Sequence, residues 1–183
     1  NGLWGDENAW ITSGDVANAM NNLIAQGKVQ EMILVMPDGD NSAYENGCSG
    51  SWVFSCGDYE NYIVHDLISE IDSKYRTIPD SGHRAIEGLS LGARGAMRLA
   101  FLHTDVFSAV AGHSGRYDYL IDEMTDADWQ SVKSSGLYIY FDHSKNDLVP
   151  FYLASSKQLD AVLTQKGIPH EYKEIDFPTI TSH

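Results

Sequence analysis

The sequence predicts an α/β protein, a mostly parallel β-sheet with helices on both faces. Three observations carry that expectation. Short apolar runs of strand length alternate with helical stretches of ten residues or more, an order that calls for parallel crossovers. The runs at 31–36, 107–112 and 137–142 are nearly continuous in apolar residues, as in strands covered on both faces. At 183 residues the chain suits one domain with a substantial core.

The elements follow in order. "SGDVANAMNNLIAQG" (13–27) reads as a helix whose stripe is Val16, Met20, Leu23 and Ile24, with Gly27 as its stop. "EMILVM" (31–36) is a compact apolar run ended by "PDGD", the pattern of a buried strand followed by a loop. Residues 59–75 place Tyr62, Ile63, Leu67, Ile71 and Tyr75 at helical spacing. "HRAIEGL" (83–89) leads as a short strand into "GARGAMRLAFLH", a helix. "FSAVAG" and "LYIYFD" are further buried strands, and the region between them holds two short helical pieces, "YDYLIDEM" and "DADWQSVKS". "PFYLASSKQLDAVLTQKG" (150–167) is a helix with Leu153, Leu159, Val162 and Leu163 largely on one side, and "HEYKEIDF" supplies the last strand.

Composition narrows the partners. A formal net charge of −14, with twelve Lys and Arg scattered along the chain, disfavours nucleic acid and anionic membranes. No run approaches the roughly 18 apolar residues of a membrane span, and the start lacks the basic and apolar regions of a signal peptide. Cys48 and Cys56, eight positions apart in a polar, Gly-rich loop, are either a disulfide or two free thiols. Such a bridge contributes about 2.5 kcal/mol on the chain-entropy account. Two cysteines without a histidine array do not make a zinc site, so no metal is expected.

The stretch "AIEGLSLGARGA" (85–96) holds Gly88-Leu89-Ser90-Leu91-Gly92. G-x-S-x-G alone says little, since chance produces it in about one chain in twenty of this size. Its place between a strand and a helix gives it meaning. A nucleophilic serine there needs a sharp turn, which flanking glycines permit. The helix N-terminus then points backbone N–H groups, Leu91 first, at a developing oxyanion. Ser114 in "AGHSGR" follows another strand, but its second glycine falls one position early, and His113 cannot easily fold back onto its neighbour. Ser114 reads as a polar strand-end residue.

A serine nucleophile requires a base and an orienting acid, in the chain order Ser, Asp or Glu, His. Asp142 and Asp147 follow the strand at 137–142. Asp147, in the loop before the helix near Pro150, suits a reach toward a histidine on the adjacent strand's loop, and Asp142 reads as a turn or cap residue. Among His143, His170 and His183, His143 shares the acid's loop, which leaves poor geometry for a hydrogen bond between them. His170 opens the last strand, the wrong end of a parallel sheet. His183 follows that strand and is the expected base, although it is the final residue.

With these residues placed, the chain resembles the esterase D-type branch of the α/β-hydrolases, closest in look to carbohydrate esterase family 1. The resemblance rests on "GLWGDENAW", "MILVMPDGDNSAY", "YENYIVHDLISEIDSKYRT", "HRAIEGLSLGARGAMRLAF", "FSAVAGHSG" and "NDLVPF". It implies Ser90 as nucleophile, Asp147 as acid and His183 as base. The family's His-Gly oxyanion site falls at Asn1-Gly2-Leu3, so the Leu3 N–H is the implied second donor and Asn1 stands where His is common. The resemblance also implies earlier strands and a final helix, so residues 1–183 are expected to be one partial α/β-hydrolase domain, lacking those elements and belonging to a larger modular enzyme.

The function expected is a serine carboxylesterase without a cofactor, acting on feruloyl or acetyl esters of plant cell-wall xylan. Trp4, Trp10, Tyr44, Trp52 and Tyr117 are candidate aromatic surface near the strand C-terminal ends, with Trp4, Trp52 and Tyr117 the substrate-binding candidates. The alternatives are an acyltransferase of the mycolyl-transfer type, an S-formylglutathione hydrolase-like thioesterase lacking an obvious basic cluster for a peptide carboxylate, and a non-catalytic carbohydrate-binding module. The expected location is extracellular, with cytoplasmic as the alternative.

Overall fold

The structure, a computed structural model, describes residues 2–48, 54–147 and 150–176. Two N-terminal helices, α1 (Ala9–Thr12) and α2 (Val16–Ala25), precede a two-stranded antiparallel ribbon of β1 (Asn46–Gly47) and β2 (Gly57–Asp58). The next helical stretch runs from α3 (Tyr59–Asn61) through a π-helical segment, Tyr62–Leu67, into α4 (Ile68–Lys74). Then come β3 (Ala85–Leu89), α5 (Leu91–Leu102), β4 (Ala109–His113), α6 (Asp118–Glu123), α7 (Asp126–Ser135), β5 (Tyr138–Ser144), α8 (Pro150–Lys166) and β6 (Glu171–Ile175).

The main sheet has the order β3-β4-β5-β6, and every pair in it is parallel. Stepping one way across a sheet by right-handed crossovers lays the connecting helices on the same face. Burial alternates accordingly. Val110 and Gly112 of β4 and Ile139 and Phe141 of β5 lie under helices, and Ala109, Ala111 and His113 are half-exposed. The second face carries Glu87, His113, Tyr138, Tyr140, Glu171 and Lys173, by register and strand alternation. Trp10 of α1 meets that face edge-on at His113, ring centroids 6.4 Å apart.

Helix α5 is the centre of the core. Leu91 to Phe101 are all buried. Small residues let it press against the sheet: Ala93, Ala96 and Ala100 are essentially inaccessible, and Met97 and Phe101 fill the space beside them. Phe101 meets Trp129 of α7 edge-on at 6.0 Å, which seats the short helices of the 113–135 region on α5. Helix α7 is defined at both ends by its sequence. Thr125 and Asp128 form a reciprocal capping box, and Gly136 closes the helix in a left-handed conformation at φ 74°.

One expectation changes. Residues 31–36 form no strand, and Met32, Ile33, Leu34 and Val35 are 40–55 % exposed. An apolar run becomes a strand only when a neighbour supplies the ladder, and among the described residues none pairs with it. The stripe of α2 holds its half-buried residues, Val16, Met20, Leu23 and Ile24, but the helix buries none of them fully. The cysteine alternative resolves to a bridge, since Cys48 and Cys56 form a disulfide with Cα atoms 4.5 Å apart.

Candidate active site

Ser90 occupies the turn between β3 and α5, at φ 56° and ψ −113°. For a residue with a Cβ this conformation costs about 1–3 kcal/mol, so the flanking structure must impose it. Three contacts do so. The Ser90 N–H donates to the His113 carbonyl at 2.8 Å, extending the ladder past β3, and the Arg94 N–H donates to the Ser90 carbonyl at 3.1 Å, starting α5. Gly88 supplies the third. A Cβ there would stand 2.1 Å from the Gly92 oxygen and 2.6 Å from the Ala93 nitrogen. The helix start therefore lies against the bare backbone of the strand, and the sharp reversal follows.

A cavity of about 490 Å³ opens at this turn, with Ser90, Leu91 and Leu3 in its wall. Gly2 comes close as well, since a Cβ on it would sit 3.6 Å from the Ser90 Cβ. Leu91 is the first residue of α5, where N–H groups have no intrahelical acceptor. The structure therefore brings Ser90, Leu3 and Leu91 to one place.

The far wall is built from arginines and aromatic rings. The Arg116 guanidinium lies 4.0 Å from the Tyr119 ring centroid and 4.4 Å from that of Phe151. The Arg94 guanidinium lies 4.6 Å from the Tyr119 centroid and 5.7 Å from that of Phe54. Carboxylates hold both cations. Arg116 grips Asp118 through Nε and Nη2 at 2.7 and 2.8 Å, and Arg94 pairs with Glu45. Sequence reading found no basic cluster, because residues 94 and 116 lie on different elements and only the fold joins them. One turn below Arg94, the buried Arg98 holds Glu60 and Glu123, fixing α3 and the end of α6 to α5.

The two aspartates separate cleanly. Asp142 is buried, and its Oδ2 accepts from Tyr140 Oη at 2.9 Å and contacts His113 Nδ1 at 2.9 Å. His113 Nε2 reaches Glu87 Oε1 at 3.1 Å. Hydrogen bonds to Asp142 and then to Glu87 push the His113 pKa up to about 9, against the opposing effect of burial. This cluster lies on the second face of the sheet, so Asp142 and His113 are committed to each other. Asp147 lies in the loop past β5, its backbone N–H donating to the Ser144 carbonyl at 3.3 Å. Its Oδ2 stands 3.0 Å from His143 Nε2, with side chains 1 % and 0 % exposed. The end of β5 and the loop after it thus do bring these two within contact distance, although the N–H direction is poorly aligned on the oxygen.

The remaining candidates divide. Tyr117 is fully buried, its ring edge-on to Phe141 at 5.7 Å and close against Gly112 and Gly115. It is a core residue, which corrects the expectation of a substrate-facing tyrosine. Tyr44 is buried too, against Gly95. Trp4 is 74 % exposed. Ser114 also turns through a left-handed conformation at φ 50°, but it is buried and its N–H donates to the Asp142 carbonyl. His170 is engaged by Asp160 at 3.0 Å. Asn1, Trp52 and His183 lie outside the described residues.

Comparisons with known proteins find esterases. A xylanase/feruloyl esterase of Xylanibacter ruminicola is 31 % identical over 124 residues, 67 % of this chain and 17 % of that protein. The chain thus corresponds to a small part of that relative. A solved ferulic acid esterase superposes with a TM-score of 0.79 at 24 % identity, covering 96 % of this chain and 74 % of the other. A carbohydrate esterase family 1 ferulic acid esterase from Anaeromyces mucronatus superposes with a TM-score of 0.75 at 18 % identity, covering 97 % and 70 %. At these identities the structural likeness is one of fold. The family model for Esterase matches residues 1–175, and on that match the chain belongs to the Esterase family, with the mostly parallel sheet of an α/β-hydrolase.

Proposed function

We propose that this protein is a serine carboxylesterase in which Ser90 is the nucleophile, His183 the general base and Asp147 the acid that orients it. The strained conformation of Ser90 at the head of α5, in the wall of the cavity shared with Leu3 and Leu91, is the observation that carries this reading. The serine hydroxyl adds to the ester carbonyl while the base takes its proton. The oxyanion is held by the N–H groups of Leu91 and Leu3. Collapse of the tetrahedral intermediate expels the alcohol, which takes the proton back from the base, and water repeats the sequence to release the acid. Each oxyanion donor and the base supply roughly 10²-fold or more.

For the substrate we favour feruloyl or acetyl esters of plant cell-wall xylan, handled by a protein outside the cell as part of a larger modular enzyme. The printed description of the Xylanibacter ruminicola relative, an endo-1,4-β-xylanase/feruloyl esterase, supports the ester class. The cavity supports it as well. Its cations are already paired with Glu45 and Asp118, which leaves a wall of stacked planar groups suited to a neutral or aromatic acyl ester. The test is a rate panel of methyl ferulate, acetylated xylan and short aryl esters. A preference of tenfold or more for ferulate or acetylxylan is expected, and equal rates across the panel would remove the cell-wall assignment.

A further inference from the structure

His143 is fully buried and takes no part in the steps above. It is the penultimate residue of β5, on the face that α8 covers. Its Nδ1 lies 3.3 Å from Ser156 Oγ of α8, and its Nε2 lies 3.0 Å from Asp147 Oδ2. Glu174, its register partner on β6, is engaged by Lys157 at 3.1 Å.

A ring nitrogen and a carboxylate oxygen held at 3.0 Å out of water cannot both present lone pairs, because the repulsion is unscreened there. A proton must lie between them. Placing it on Nε2 leaves Nδ1 as an acceptor, and Ser156 Oγ–H is in position to donate to it. The arrangement is then a directed chain: Ser156 O–H to Nδ1, and Nε2–H to Asp147 Oδ2. It needs only a neutral imidazole.

We infer that His143 is a positioning residue for Asp147, resting on the proposed role of Asp147 as the triad acid. It holds one carboxylate oxygen, which fixes the carboxylate's orientation and leaves the other oxygen for the base of the proposed triad. Buried as it is, His143 cannot reach an ester, and its effect passes entirely through Asp147. The proposal joins Ser156, on a helix outside the motif, to the catalytic loop.

The test compares His143→Met, which removes the donor, with His143→Gln, whose amide N–H can replace Nε2–H. The expected result is a kcat about tenfold lower for His143→Met with KM within twofold, and recovery to within about threefold of the parent for His143→Gln. Equal losses in both variants at unchanged folding, or no loss in His143→Met, would overturn it. The tautomer is read independently on the unmodified protein by ¹⁵N-edited NMR of the imidazole. Protonation at Nε2 is expected, and a proton on Nδ1 alone would overturn the proposal whether or not the variants fold. Asp147→Ala is assayed in parallel. Full activity there removes the parent reading, whereas an inactive Asp147→Ala beside a fully active His143→Met removes only this inference.

Discussion

Replacing Gly88 with alanine tests whether close strand–helix contact sets the turn at Ser90. The added methyl would stand 2.1 Å from the Gly92 oxygen, 2.2 Å from the Gly92 carbonyl carbon and 2.6 Å from the Ala93 nitrogen. All three are backbone atoms, so no rotamer relieves the clash. An ordinary carbon–oxygen contact needs about 3.2 Å or more, which requires the start of α5 to move by about 1 Å. Two effects oppose each other. Gly→Ala stabilises by about 0.4–1 kcal/mol through the unfolded chain, and overpacking costs about 1–3 kcal/mol. Here the crowded atoms are rigid and Ala93 beside them is inaccessible, so the cost lies at the upper end and wins. A net loss of about 2 kcal/mol lowers the melting temperature by about 4–8 °C for a chain of this size. Displacing the nucleophile by 1 Å is the kind of shift that costs on the order of 10²-fold in rate. Thermal unfolding and kcat/KM on an aryl ester measure the two effects. A Gly88→Ala protein with parental melting temperature and activity would refute the reasoning.

Other expectations follow from single features. Gly136→Ala places a Cβ in the left-handed cap of α7 with no atom within 4 Å to strike, so it should lose about 1 kcal/mol of stability with activity unchanged. Thr125→Ala removes the capping box of the same helix and should cost about 1 kcal/mol in chemical denaturation, again with parental kcat/KM. His113 has a folded pKa of about 9, above its ordinary 6.5. Its stabilisation is therefore complete below about pH 6.5 and is lost as pH rises through about 9. Partial exposure of the ring and greater exposure of Glu87 limit the change to about 1–2 kcal/mol. Denaturation at pH 6 and pH 10 should show that loss in the parent and not in His113→Asn, and an identical loss in both would assign the pH dependence elsewhere.

Periodicity found β3 to β6 and α5 to α8 because each turns apolar residues of its pattern toward a neighbour it packs against. The helix at 59–75 was legible in extent, but its π-helical middle was not, since apolar spacing of three and four does not register one extra residue per turn. Residues 31–36 show the opposite limit. Their apolarity is intrinsic, whereas strand formation depends on a partner that sequence cannot display. Ser90 and Leu91 were readable from a local motif with its flanking elements. The Arg94–Tyr119–Arg116 stack was not, because its members meet only after α5 and α6 pack together. Tyr117 was misread for a related reason. A tyrosine at a strand's C-terminal end suits a binding surface or a core equally, and the bare backbones of Gly112 and Gly115 made room for it inside.

The most direct measurement of the central claim is covalent labelling by a fluorophosphonate, with the modified residue located by mass spectrometry and esterase rates followed in parallel. The account predicts a single adduct on Ser90. It also predicts that Ser90→Ala abolishes the label and lowers kcat by 10³-fold or more without changing the fold. Full esterase activity in Ser90→Ala, or an adduct on Ser114 in its place, would contradict it.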